Sequence, residues 1–93
     1  MEFSEEKKID LDALFALYTA VGWSAYTKDI QQLAMGVQQS LKVITVWDEQ
    51  QLIGLIRSVG DGETILYIQD LLVHPAYQNK GIGTQLIEKM VQA

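Results

Sequence analysis

The chain has 93 residues, with 7 basic and 12 acidic side chains, a net charge of -5, 48% hydrophobic residues and no cysteine. That length holds one domain, residues 1–93, with a modest core, and the acidic balance argues against nucleic-acid binding, which needs a basic face. Without cysteine there is no disulfide and no thiolate metal site, and with no leader and no run near the roughly 20 apolar residues that span a bilayer, a cytoplasmic protein without a membrane partner is expected.

Residues 2–6 read as a short edge strand. Glu2, Glu5, Glu6, Asp10 and Asp12 crowd the first dozen residues against Lys7 and Lys8. This is either a solvated end or an acidic rim that attracts a cationic substrate. Asp10 suits a helix N-cap, with Asp12 in the first turn. Leu11, Leu14, Phe15, Tyr18 and Val21 then follow at helical spacing, and Gly22 is a natural stop. The connector Trp23-Ser24-Ala25-Tyr26 carries two aromatics outside regular structure. Thr27 is placed to cap a second helix with the stripe Ile30, Leu33, Ala34, Val37 and Leu41. Gly36 within that stripe costs about 1 kcal/mol against Ala, unless something packs closely there.

The pattern then turns to strands. Leu41–Trp47 is β-branched and aromatic, and Asp48-Glu49-Gln50 is a polar turn. Gln51–Val59 is a second strand, Gly60-Asp61-Gly62 a turn, and Glu63–Val73 a long third strand. Short connections imply an antiparallel meander. Ile53 and Leu55 lie on one alternation, Leu52 and Ile56 on the other, so both faces expect cover. A last helix, Ile82 to Val91, buries Ile82, Leu86, Ile87, Met90 and Val91. The order is (β)ααβββα, an α/β chain of the α+β kind with helices on both faces of a mostly antiparallel sheet.

Between the last strand and the last helix lies Val73-His74-Pro75-Ala76-Tyr77-Gln78-Asn79-Lys80-Gly81-Ile82-Gly83-Thr84. A strand that enters a glycine-bearing turn and then a helix presents bare backbone N–H groups to a phosphate. Gly81 and Gly83 let a ligand approach the backbone, and Lys80 adds a point charge. The spacing is neither a Walker A loop nor a dinucleotide fingerprint. On the residues alone, a tight turn without a ligand and a different phosphate-ligand site, such as a nucleotide binder, both stay open.

Gln78-Asn79-Lys80-Gly81-Ile82-Gly83 resembles the Gln/Arg-x-x-Gly-x-Gly/Ala signature of the GCN5-related N-acetyltransferase (GNAT) superfamily. The lead-in Asp70-Leu71-Leu72-Val73-His74-Pro75-Ala76-Tyr77 and the element order are similar too. The resemblance covers essentially the whole chain and implies a GNAT-like fold. It implies transfer of an acetyl group from acetyl-coenzyme A, without a metal, to a primary amine of a small molecule or peptide. The backbone of Gln78, Asn79, Lys80, Gly81, Ile82, Gly83 and Thr84 would hold the pyrophosphate. The exposed backbone of Leu71, Leu72 and Val73 would pair with the pantetheine arm, and one of their amides would polarise the thioester carbonyl.

Some members use a Glu in the middle of this strand as base. Here Tyr67 to Gln69 fall there, and Asp70 is the nearest carboxylate and the candidate catalytic residue. Asp70 also reads as a structural acid at a bulge. Trp23 and Tyr26 would border the acceptor pocket, or pack between helices. Trp47 reads as strand packing, and His74 as a loop residue. The family fold continues with a fifth strand, a further helix and a hairpin, which have no counterpart in these residues. The chain therefore resembles the N-terminal two-thirds of the fold, truncated. The apolar run Ile65–Val73 would then be an open edge, so a homodimer through that edge is expected. A non-catalytic coenzyme A-binding or interaction module is the alternative function.

Overall fold

A computed structural model of the chain describes residues 1–92. Four antiparallel strands form one sheet in the order β1-β2-β3-β4: β1 Glu2–Ser4, β2 Lys42–Asp48, β3 Gln51–Gly60 and β4 Leu66–Val73. Helices α1 (Leu11–Ala20), α2 (Ser24–Thr27) and α3 (Ile30–Gln38) precede β2, and α4 (Ile82–Val91) follows β4 through a 3-10 turn at Pro75–Tyr77. Among the described residues, no helix is long and apolar enough to cross a membrane.

The helix starts follow from carboxylate caps. Asp10 accepts from the Ala13 N–H at 3.1 Å and Asp29 from the Gln32 N–H at 3.1 Å, each satisfying a donor that the helix leaves unpaired. The second cap is therefore Asp29, not Thr27. Thr27 ends the one-turn helix α2, where its hydroxyl donates to the Ser24 carbonyl. The Trp23–Tyr26 connector is thus partly helical. Gly22 takes φ +83°, the left-handed stop expected of it.

The sheet has a core on each face. Leu14, Leu17, Tyr18, Leu33, Ala34 and Val37 of the helix pair meet Val43, Leu52, Leu55 and Leu72 on one side. On the other, Ile82, Leu86 and Met90 of α4 meet Ile44, Val46, Ile53 and Ile56. Several expected core positions differ. Leu17 replaces Leu11 and Phe15, which are exposed, and Leu41, Ile87 and Val91 are exposed too. Ile82, Leu86 and Met90 are fully covered.

Two bulges correct the expected alternation. In β3 the pairing runs Val46↔Gly54 and then Trp47↔Leu52, so Ile53 is an extra residue. The inserted residue shifts the parity. Leu52 and Leu55 therefore share the helix-pair face, and Ile53 and Ile56 share the α4 face. In β4 the pairing runs Arg57↔Asp70 and then Ser58↔Ile68, leaving Gln69 extra. The third strand also starts later than Glu63. Asp61 accepts from the N–H groups of Glu63, Thr64 and Ile65 and from the Thr64 hydroxyl, holding that stretch as a loop. Those backbone bonds, that of Ile65 first, hold the Asp61 carboxyl well below its ordinary pKa. Its contribution to stability is present above the ordinary carboxylate value of about 3.9 and is lost as pH falls toward the depressed one.

Gly54 lies in the middle of β3 beneath α4. A Cβ there would sit 2.7 Å from Val46 Cγ1 and 3.2 Å from Leu86 Cδ1. Gly54→Ala is expected to cost about 1–3 kcal/mol through overpacking, about 4–8 °C per kcal/mol for a domain of this size. A thermal melt that matches the parent would show that α4 lifts freely off the sheet.

Candidate functional site

The last turn of β4, the 3-10 turn and the start of α4 enclose a groove of about 450 Å³. Its walls are Leu71 and Val73, Tyr77 to Asn79, and Gly81 to Thr84. Unlike α1 and α3, α4 begins at a glycine with no side-chain cap. Among the described residues, nothing accepts from the N–H groups of Ile82, Gly83 and Thr84, while the Gly81 carbonyl already starts the helix by accepting from Gln85. A helix start left bare beside a groove favours an anion.

The backbone before it is shaped for this. Asn79 has φ +65° and Gly81 φ +79°, two left-handed positions in three residues. A Cβ on Gly81 would meet nothing within 4 Å, so the space above it is open. A Cβ on Gly83 would meet Val73 Cγ2 at an ordinary 3.8 Å. The Gln78 side chain donates to the Val73 carbonyl at 3.1 Å and closes the loop on the strand end. Lys80 does not line the groove; its ammonium lies 5.5 Å from the Tyr77 ring centroid. Leu72 turns its side chain into the core, and its backbone bonding groups point toward β3, in phase with the His74 N–H that donates to Ile53; of the three residues expected to meet the pantetheine arm, it is Leu71 and Val73 that turn theirs to the edge.

Asp70 lies on the opposite face, one residue past the bulge, and is buried. Its carboxylate pairs with Arg57 Nε at 2.5 Å and accepts from the Tyr18 hydroxyl at 2.8 Å and the Tyr26 hydroxyl at 3.2 Å. Burial pushes the Tyr18 phenol up, and the charge of Asp70 adds to that. For Arg57 burial works against the charge, but the bond and charge of Asp70 outweigh it and raise the pKa. The guanidinium also sits against Gly36, where a Cβ would be 3.1 Å from Nη1. This is the close approach that a glycine in that stripe called for.

Trp23 and Tyr26 do come together, with ring centroids 6.0 Å apart, and Tyr18 packs edge-on to both. Trp23 is half-exposed, and the exposed Gln69 amide donates to the Tyr26 hydroxyl at 3.4 Å. Trp47 bonds Thr45 at 2.8 Å, as a packing residue would. His74 accepts from the Ala76 N–H and caps the 3-10 turn.

Although Tyr18 does lie on the expected helix face, the partnership of Arg57 and of the Tyr18 hydroxyl with Asp70, and the bond from the Tyr77 hydroxyl to Asp48 at 2.6 Å, go beyond what the sequence shows. That bond raises the Tyr77 phenol above its usual pKa. A charged residue in the doubly covered run Leu52–Val59 was the available signal for Arg57, because a buried charge needs a partner.

The chain matches the Acetyltransferase (GNAT) family over residues 9–93. It is 32% identical over 95 residues to an uncharacterized ycf52-like N-acetyltransferase from Prochlorococcus marinus, covering 98% of this chain and 52% of that protein. Among solved structures, a GNAT family acetyltransferase from Streptococcus pneumoniae is 34% identical with a TM-score of 0.79, covering 96% of this chain and 64% of that one. An aminoglycoside 6'-N-acetyltransferase complexed with coenzyme A is similar in fold, with a TM-score of 0.77 at 21% identity, covering 97% of this chain and 53% of that one. The chain thus spans about half the length of the curated relative that it matches. With the matched residues covering both the groove and the helix pair, this chain belongs to the GNAT acetyltransferase family.

Proposed function

We propose that the chain carries the donor half of an N-acetyltransferase site, which binds acetyl-coenzyme A and presents its acetyl group to a primary amine of a small molecule or peptide. The observation that carries this reading is the uncapped start of α4 opening beside the free edge of β4 in one groove. The bare N–H groups of Ile82, Gly83 and Thr84 suit a pyrophosphate. The β4 edge suits an extended amide-bearing arm, which would add to it like a strand.

In this reading the amine nitrogen attacks the thioester carbonyl carbon. The C–N bond forms, the C–S bond breaks and the thiolate leaves. An edge amide near Leu71 stabilises the oxygen as it gains charge. The amine must also lose a proton. Asp70 is kept in the site with a changed role. Its oxygens are already engaged by Arg57, Tyr18 and Tyr26, so it orients the tyrosines of the acceptor wall and the proton leaves through water. Trp23, Tyr26 and Gln69 form that wall.

The engagement of Asp70 also favours the second reading, a coenzyme A-binding module without transfer. Thiol release in the presence of a panel of amines separates the two. A homodimer pairing along the β4 edge, where Leu66 and Tyr67 are exposed, would compete with the pantetheine arm; sedimentation showing only monomer at high concentration would remove it.

Coenzyme A at about 100 times its Kd is expected to add about 2.7 kcal/mol to stability. Gly83→Glu should abolish that gain while leaving the free chain folded, since a carboxylate in the first turn suits the helix dipole. No thermal shift for the parent chain at millimolar coenzyme A would overturn the reading. Asp70→Asn leaves the Arg57 charge unpaired in a buried place and is expected to cost about 3–5 kcal/mol in chemical denaturation. A loss below about 1 kcal/mol, the range of an exposed pair, would return Asp70 to the role of base.

A further inference from the structure

The 3-10 turn at Pro75–Tyr77 sets where the groove's N–H groups point, yet most of its bonds are local. The Tyr77 N–H donates to the His74 carbonyl at 2.8 Å, the Gln78 N–H to the Pro75 carbonyl at 3.5 Å, and the Ala76 N–H to His74 Nδ1 at 3.1 Å. The Gln78 amide reaches only Val73. Among the described residues, the one side-chain hydrogen bond from this turn to a distant element is that of the Tyr77 hydroxyl, 2.6 Å from Asp48 Oδ2 and 29 positions away in sequence.

Asp48 is firmly held. It ends β2 and pairs with Gln51 across a two-residue turn. Tyr77 meanwhile packs against the α4-side core, lines the groove and lies beneath the Lys80 ammonium. One ring therefore touches the core, the cation and the sheet frame at once. Beyond it the chain passes directly into the left-handed Asn79 and Gly81. A carboxylate near an anion site opposes the ligand by charge, so Asp48 favours binding only through what it holds.

We propose that Asp48 and Tyr77 are positioning residues for the coenzyme groove: the phenol-to-carboxylate bond ties the turn to the β2–β3 hairpin and fixes the direction of the N–H groups of α4. The inference rests on the reading of the groove as the coenzyme site. A bond from a hydroxyl to a charged acceptor is among the stronger hydrogen bonds, and this one joins the loop to its frame.

The test is the Kd for coenzyme A by calorimetry, beside the melting temperature of each free chain. Tyr77→Phe and Asp48→Ala are expected to weaken binding about tenfold, the order set by a hydrogen bond to a charged group. Asp48→Asn keeps an acceptor oxygen and should recover most of the affinity. A purely structural tether would lower the melting temperature and leave Kd alone, which overturns the proposal. Tighter binding by Asp48→Ala would mean that only its charge matters, and overturns it as well. A parent chain that does not bind coenzyme A removes both this inference and the reading beneath it. A parent that binds, with Tyr77→Phe unchanged, removes this inference alone.

Discussion

The Arg57–Asp70 pair is the contact on which the arrangement of the chain depends. It lies in the layer between the sheet and the helix pair, where an isolated charge is costly and an unpaired one would not persist. Asp70 binds three groups from three elements: Arg57 of β3, Tyr18 of α1 and Tyr26 of α2. Gly36 of α3 makes room for the guanidinium. Every helix on that side thus refers its position to one carboxylate of the edge strand. The apolar core supplies the bulk of the attraction but is not directional. The ionic cluster specifies where α1, α2 and α3 sit along β4.

On the other face the logic is reversed. There the sheet and α4 meet through apolar side chains and the bare Gly54, and the polar groups are left for the rim. Two helices of this chain spend a carboxylate on their first turn, and α4 does not. A bare helix start is tolerable because it opens to solvent, and it becomes useful where a groove leads to it. The left-handed Asn79 and Gly81 bring the chain into the helix without covering those groups.

Much of this was legible in the residues. Asp10, Gly22, the turn around Asp61 and the glycine before α4 announce themselves because local backbone chemistry admits few alternatives. The Gln78–Gly83 motif pointed to the groove for the same reason. What could not be read locally was parity and pairing. The bulges at Ile53 and Gln69 depend on the partner strand, so the sequence alone does not reveal the change of alternation in β3. Strand β4 starts later than its residues suggest, because Thr64 and Ile65 have strand character while Asp61 competes for their N–H groups. Asp29 outdid Thr27 as a cap because α2 had already used Thr27. The partners of Asp70 lie 13 to 52 positions away, and neither spacing nor periodicity reports such a distance.

The extra residue at Gln69 has a consequence for how the two faces of this chain can vary independently. As in any strand, successive residues of β4 point to different halves of the molecule, and the extra residue sets which: Ile68, Leu71 and Val73 face α4, while Asp70 and Leu72 face the helix pair. The strand works as a partition wall with separate tenants on each side. Substitutions in α1 and α2 can reshape the aromatic cluster around Asp70 while the groove beside the start of α4 stays as it is. An insertion or deletion within the bulge, by contrast, would exchange the tenants. The edge strand is therefore fixed in length as well as in the carboxylate at Asp70.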